Sequence, residues 1–179
     1  MRTQPTSLRE YQERLLARLR DSAASGSATS YLGMMVAGER WVVQLTDVSE
    51  VVPLPPLYPI PLTREWLLGV VNVRGTLYTV IDLAAFAGHG ATALGAEARL
   101  VLIHPKFRVN AGFVIARTLG LRNPQPQRVP FEMPLPWLVA EYHDSDGSHW
   151  KALDIRRLVA DSRFLDVGRS EYEQRGAQP

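Results

Sequence analysis

The chain of 179 residues contains no cysteine, which excludes disulfides and thiolate metal sites formed within it. Lysine is scarce, because Lys106 and Lys151 are the only two and arginine supplies the remaining basic residues. The net charge is only +2, with acidic residues scattered among the arginines. No run of five or six like charges forms, so a nucleic-acid partner is not expected. Long apolar runs are missing too. The longest largely apolar stretches, such as Trp66–Val73 and Leu100–Ile103, fall far short of the roughly 20 residues a membrane span needs. Met1–Ser7 lacks the apolar core of a signal peptide. The expectation is a cytoplasmic protein without direct membrane insertion.

Enzyme signatures are equally scarce. Gly69 and Gly75 lack the lysine and spacing of a phosphate-binding loop, and no serine stands in a Gly-x-Ser-x-Gly context. His143, Asp144, Asp146 and His149 form a cluster of possible metal ligands. Their spacing matches no common zinc pattern, and Asp-Ser-Asp-Gly is ordinary hairpin-tip chemistry. His89 and His104 are isolated. Asp82 and Asp154 would make an acid pair for a hydrolase, yet each stands where a helix N-cap is expected. No catalytic residue, cofactor or metal is therefore expected.

What is present is a globular composition, 46% apolar, organised in three parts. Residues 1–28 read as a helix and a linker. Ser7-Leu8-Arg9-Glu10 is a capping box, and Leu8, Tyr11, Leu15 and Leu19 fall on one helical stripe opposite Arg9, Glu13 and Arg20. Ser22–Ser27 has linker composition. Such a helix packs back on its own domain, or it serves as a partner-binding or self-associating segment. Residues 29–165 read as many short strands with frequent Gly and Pro punctuation, which points to small β-barrels. The expected strands are Tyr31–Ala37, Arg40–Leu45, Val51–Leu54, Trp66–Val73, Thr76–Ile81, Arg99–His104, Asn110–Ala116, Leu138–Tyr142 and His149–Leu153. Thr46–Glu50 reads as a short helical turn, and Asp82–Ala87 and Asp154–Val159 as short helices. Five prolines between Pro53 and Pro61, and five more between Pro124 and Pro136, mark sheet edges or extended loops. Thr79–Leu83 is echoed by Lys151–Ile155, a strand running into an Asp at a helix start, which suggests two lobes divided near residues 89–98. Residues 166–179 read as a polar tail.

The segment Gly69-Val70-Val71-Asn72-Val73-Arg74-Gly75 stands out. It ends an apolar strand in a polar turn from which an arginine projects. A planar guanidinium grips a carboxylate specifically, and Glu50 is the carboxylate expected to pair with Arg74. Asn72 would bond the turn backbone or a partner's main chain, while Gly75 permits the turn. The residues alone also fit a plain hairpin with an exposed arginine.

This string, from Trp66 through Gly75 and on to Thr79-Val80-Ile81-Asp82-Leu83, resembles the signature of CheW-like domains. There a GV-[IV]-N-[LV]-R-G strand and turn precedes a V-[IV]-D-L strand and helix. Val48–Val52, Gly112–Ile115 and Ala152–Ile155 resemble further family elements, so the likeness runs from about Tyr31 to Val159. It implies a mainly β fold of two packed, five-stranded SH3-like β-barrels with short helices. It also implies a non-enzymatic adaptor between a methyl-accepting chemotaxis receptor and the regulatory domain of a CheA-like histidine kinase, recruited to membrane receptor arrays. The leading helix and linker resemble the branch of the family that serves type IV pili and twitching motility. A general flagellar chemotaxis adaptor and a small-ligand-binding β-barrel are the alternatives. By this resemblance Asn72, Arg74 and Gly75 lie near the partner surface, Glu50 pairs with the arginine, and Gly69 is small because it lies beside a partner. The family often has Val-Asp where this chain has Ala116-Arg117, so the resemblance carries no receptor contact there.

Overall fold

The computed structural model describes residues 30–123, 135–143 and 147–166. The expected N-terminal helix, most of the Pro124–Pro136 loop, the tip of the last hairpin and the polar tail lie outside the described residues. Among the described residues there are ten strands: β1 (Tyr31–Val36), β2 (Glu39–Gln44), β3 (Val48–Pro53), β4 (Leu67–Val73), β5 (Thr76–Asp82), β6 (Arg99–Ile103), β7 (Ala111–Ile115), β8 (Arg117–Arg122), β9 (Leu138–His143) and β10 (His149–Leu153). The same residues include three short helices: α1 (Leu83–Phe86), α2 (Ile155–Ala160) and α3 (Ser162–Leu165). Leu45–Asp47 and Pro105–Phe107 are single 3₁₀ turns.

The strands form two five-stranded sheets, ordered β8-β1-β2-β10-β9 and β3-β6-β7-β5-β4. Pairing is antiparallel except between β2 and β10 and between β5 and β7. Read across, the two orders correspond: β3 with β8, β6 with β1, β7 with β2, β5 with β10 and β4 with β9. The echo in the sequence is therefore an echo in the fold. In both copies an Asp after the inner strand caps a short helix, Asp82 for α1 and Asp154 for α2. In both, that Asp donates its N–H to a tryptophan carbonyl just before the edge strand, Trp66 at 2.7 Å and Trp137 at 2.9 Å.

The expected division near residues 89–98 is corrected by this topology. That stretch lies between α1 and β6, inside the run of strands that builds the second sheet. The first sheet takes β1 and β2 from before that run and β8 to β10 from after it. The cause is the parallel pairing of Trp41–Val43 with Lys151–Leu153, which joins the two ends of the domain.

The alternation of side chains along the strands builds three cores. In β2, Trp41 and Val43 enter a large central core, while Val42 joins a smaller one inside the first sheet. In β6, Val101 and Ile103 face the central core, whereas Leu100 and Leu102 face the interior of the second sheet. Each sheet thus buries both faces of its inner strands, and β7 is buried at every position. This is why these strands read as continuous apolar runs and not as an alternation. Trp41, Trp137, Phe86, Trp66 and Phe164 link ring to ring through the central core, with centroids 4.9–6.1 Å apart.

Local structure departs from expectation in three places. Thr46–Glu50 is not one helical turn, because the β-branched Val48, Val51 and Val52 pair with β6 from Val48 onward. The strand β8 was not expected: it is an edge strand, largely exposed and carrying arginines, so it shows no apolar alternation. The helix α3 was also not expected. It is capped by Asp161, whose Oδ1 accepts from the Arg163 N–H at 2.9 Å, while Arg163 Nη2 donates to Oδ2 at 2.8 Å.

These hydrogen bonds from Arg163, working against burial, hold the Asp161 carboxyl below its ordinary value. A carboxyl lowered by folding stabilises the protein above its unfolded value, about pH 4, and loses that contribution as pH falls through the lower folded value. Asp161→Asn should therefore flatten the decline of the thermal midpoint below about pH 4, measured by unfolding scans across a pH series. An acid decline as steep as that of the parent chain would remove Asp161 from that role.

Candidate functional site

The β4–β5 hairpin is a two-residue turn between Val73 and Thr76. Arg74 and Gly75 both have positive φ, 51° and 87°, the signature of a type I′ turn matched to strand twist. Asn72 fixes it: its Oδ1 accepts from the Gly75 N–H at 2.8 Å. Of the two bonds open to Asn72 from the sequence, it makes the one to the turn backbone. A Cβ added at Gly75 would meet nothing within 4 Å, so the backbone angle and not space calls for glycine there.

Arg74 Nη2 donates to Glu50 Oε1 at 2.7 Å, with the arginine side chain 79% exposed and the glutamate 31%. The pairing expected from the sequence is present, although Glu50 reaches it from β3 and not from a helical turn. β3 and β4 are opposite edges of their sheet. The ion pair therefore spans the two edges, and the sheet curls enough to bring them together. The chain between them helps, since Tyr58 and Val70 exchange both backbone hydrogen bonds at 2.9 Å. Glu50 shares a face with Val52, at the rim of the second sheet's interior, and the bulge between Val48 and Glu50 lets Val48 turn with Val51 to the central core.

Gly69 has a close neighbour within its own chain. Its φ is +130°, and a Cβ there would lie 2.8 Å from the Tyr58 carbonyl carbon and 2.9 Å from Pro59 Cα. The close neighbour is the chain's own Tyr58–Pro59 backbone. The bulge at this position also changes the strand's parity, so that Leu67 enters the central core while Leu68, Val71 and Val73 all face the second sheet's interior.

The remaining candidates do not converge. Asp82 and Asp154 cap helices in different sheets. Asp82 is 1% exposed, and its oxygens accept from the N–H groups of Ala84, Ala85 and Thr92 and from the Thr92 hydroxyl. His143 and His149 face each other across β9 and β10 with centroids 4.0 Å apart, and His149 Nδ1 lies 3.4 Å from Glu141 Oε1. Among the described residues no group of three or more such side chains is arranged to hold a metal ion, and Asp144 and Asp146 lie outside those residues. No helix among the described residues is long and apolar enough to cross a membrane. Leu77, which did not stand out in the sequence, is 61% exposed and directly across the hairpin from Asn72. Its exposure had a signal, since a leucine beside a polar turn cannot share the buried face of Tyr78 and Val80.

The site is thus a hairpin that presents a guanidinium and an exposed leucine. A family model described as CheW-like domain matches residues 30–163. The chain is 29% identical over 160 residues to the protein PilI of Pseudomonas aeruginosa, covering 86% of this chain and 88% of that one. It is 25% identical over 87 residues to the chemotaxis protein CheW of Helicobacter pylori, covering 49% and 52% of the two chains. The crystal structure of the scaffolding protein TtCheW from Thermoanaerobacter tengcongensis superposes with a TM-score of 0.63 at 20% identity, covering 73% of this chain and 86% of that one. The family model spans most of the chain and includes both sheets and the Asn72–Gly75 turn, so the chain belongs to the CheW-like domain family.

Proposed function

We propose that this protein is a non-enzymatic adaptor that couples a methyl-accepting chemotaxis-type receptor to a CheA-like histidine kinase in the pathway controlling type IV pili and twitching motility. The similarity to PilI along most of both chains supports the pilus pathway. In this reading each sheet is a closed SH3-like barrel, and the protein works in the cytoplasm, recruited to receptor arrays. Its output is assembly, so its surfaces need anchors and specificity in place of a reaction centre.

The observation that carries the reading is the Arg74 side chain, 79% exposed yet tied to Glu50 at 2.7 Å on a hairpin fixed by Asn72. An exposed ion pair contributes only about 0–1 kcal/mol to stability, so the fold has little need of it. A preorganised guanidinium at an interface rim sets partner choice and orientation. Leu77 beside it supplies apolar contact area.

Arg74→Glu should weaken binding to the kinase's CheW-like regulatory domain or to the receptor's cytoplasmic region by at least tenfold, about 1.4 kcal/mol. The thermal midpoint should stay within about 3 °C of the parent. Titration calorimetry with both partners encoded alongside this chain, together with an unfolding scan, makes the test. If the variant unfolds, Arg74 is structural. If the parent chain binds neither partner, the adaptor reading fails.

A further inference from the structure

The edge strand β8 carries a surface that Arg74 and its hairpin leave unused. Among the described residues β8 pairs with β1 alone, so the N–H and C=O groups along its outer side have no ladder partner there. An open edge of this kind is a template for one more strand. Arg117, Thr118 and Leu121 on it are exposed, while Leu119 is half-buried in the first sheet's interior.

The charge along this edge is of one sign. Arg117 stands opposite Met35 and Arg122 opposite Tyr31. Those β1 residues are four apart, and a bulge in β8 absorbs the extra residue, so both arginines lie on one face, about 14 Å from each other. Arg40 stands on the far side of Met35, in the same row as Arg117. Among the described residues none of the three forms an ion pair, and Glu39 beside them is held by Lys151 at 2.7 Å. The Arg122 guanidinium lies over the Trp150 ring at 5.1 Å. Arg122 Nε and Trp150 Nε1 are both buried without a hydrogen-bond acceptor, and Trp150 is 2% exposed. Buried donors are ordinarily satisfied, so this end of the edge is short of acceptor oxygens.

These features select among occupants. A second copy fits badly, because antiparallel self-pairing about the middle of β8 sets Arg117 of each copy against Arg122 of the other, and like charges directly opposite destabilise a ladder. A regular strand with carboxylates four residues apart meets both arginines with charge-assisted hydrogen bonds and turns the side chain midway between them toward Leu119. We propose that the outer edge of β8 binds an extended acidic segment of a partner protein, adding it to the first sheet as a further strand with its carboxylates at Arg117 and Arg122. Backbone pairing supplies affinity in this mode, and the side chains supply choice. Arg74 belongs to the second sheet, so the two surfaces are tested separately.

The probe is a fluorescein-labelled peptide, Thr-Glu-Thr-Val-Thr-Glu-Thr, titrated with the full chain and followed by anisotropy. One control carries lysine for both glutamates, and a second is the acidic peptide N-methylated throughout, which keeps the charge but cannot pair its backbone. Both controls should bind at least tenfold more weakly. Arg117→Gln with Arg122→Gln should weaken the acidic peptide by at least tenfold. Raising salt from about 0.05 to about 0.5 M should weaken it on the parent chain, a readout that does not depend on the folding of a variant. Amide exchange in β8 should slow when the acidic peptide binds, while β6 and β7 stay unchanged. No binding of the acidic peptide would overturn the proposal, as would equal binding by either control. Full protection of β8 in the free chain would overturn it too, showing the edge closed by the chain itself or by a second copy.

Discussion

Gly69→Ala should lower the thermal midpoint by roughly 10 °C or more, corresponding to about 4 kcal/mol in a domain of this size. Two effects add. The φ of +130° is one that side chains other than glycine rarely adopt, and the new methyl would overlap the Tyr58 carbonyl and crowd Pro59. Relief by moving Tyr58 would break the paired hydrogen bonds between Tyr58 and Val70, which help to close the curled second sheet. Relief by straightening the bulge would reverse the strand's parity and turn Val71 and Val73 out of the interior. Gly75→Ala is the matched control. It lies in the same motif at positive φ but with open space around it, and should cost only about 1 kcal/mol. Unfolding scans on both variants decide the matter. If Gly69→Ala kept its thermal midpoint and lost partner binding, Gly69 would be a contact residue, as the family resemblance suggested.

That contrast shows what the residues disclose on their own. The strands of the second sheet were legible because their apolar residues are local and dense, and the hairpin because Arg-Gly is flanked by β-prone runs. The Arg74–Glu50 pair was legible from complementary residue types alone. The close approach of Tyr58 to Gly69 was not, because it comes through a loop whose path is tertiary. The sorting of strands into sheets was hidden for a similar reason. Trp41 pairs with Lys151 across most of the domain, and neither neighbourhood carries a mark of the other. One local sign of the repeat did exist, since Trp66-Leu67 and Trp137-Leu138 each precede the capping Asp of their own copy. Set beside the two strand-Asp-helix segments, it would have tied β4–β5 to β9–β10.

The repeat also sets up the second large effect, because its two capping aspartates are equivalent in the fold and unequal in their surroundings. Asp82→Ala should destabilise the protein by about 3–5 kcal/mol, lowering the thermal midpoint by roughly 10–15 °C. The carboxylate is 1% exposed and accepts four hydrogen bonds. Two hold the first turn of α1, and two bind Thr92 at 2.6 Å each, drawing the loop between α1 and β6 onto the helix start. Truncation leaves backbone N–H groups without their acceptor near a core where water does not readily replace it. Asp154 caps α2 through one backbone hydrogen bond, from Arg157 at 3.0 Å, in an exposed setting, so Asp154→Ala should cost about 1 kcal/mol. Asp82→Asn separates shape from charge. It keeps an acceptor for Ala84 and Ala85 but turns an amide NH₂ toward the Thr92 N–H, and should fall between the other two. Amide exchange adds a local readout: in Asp82→Ala, protection at Thr92 should collapse while the β6 and β7 amides weaken only in step with global stability. Equal costs at Asp82 and Asp154 would show that the Thr92 clamp contributes nothing, leaving Asp82 an ordinary helix cap.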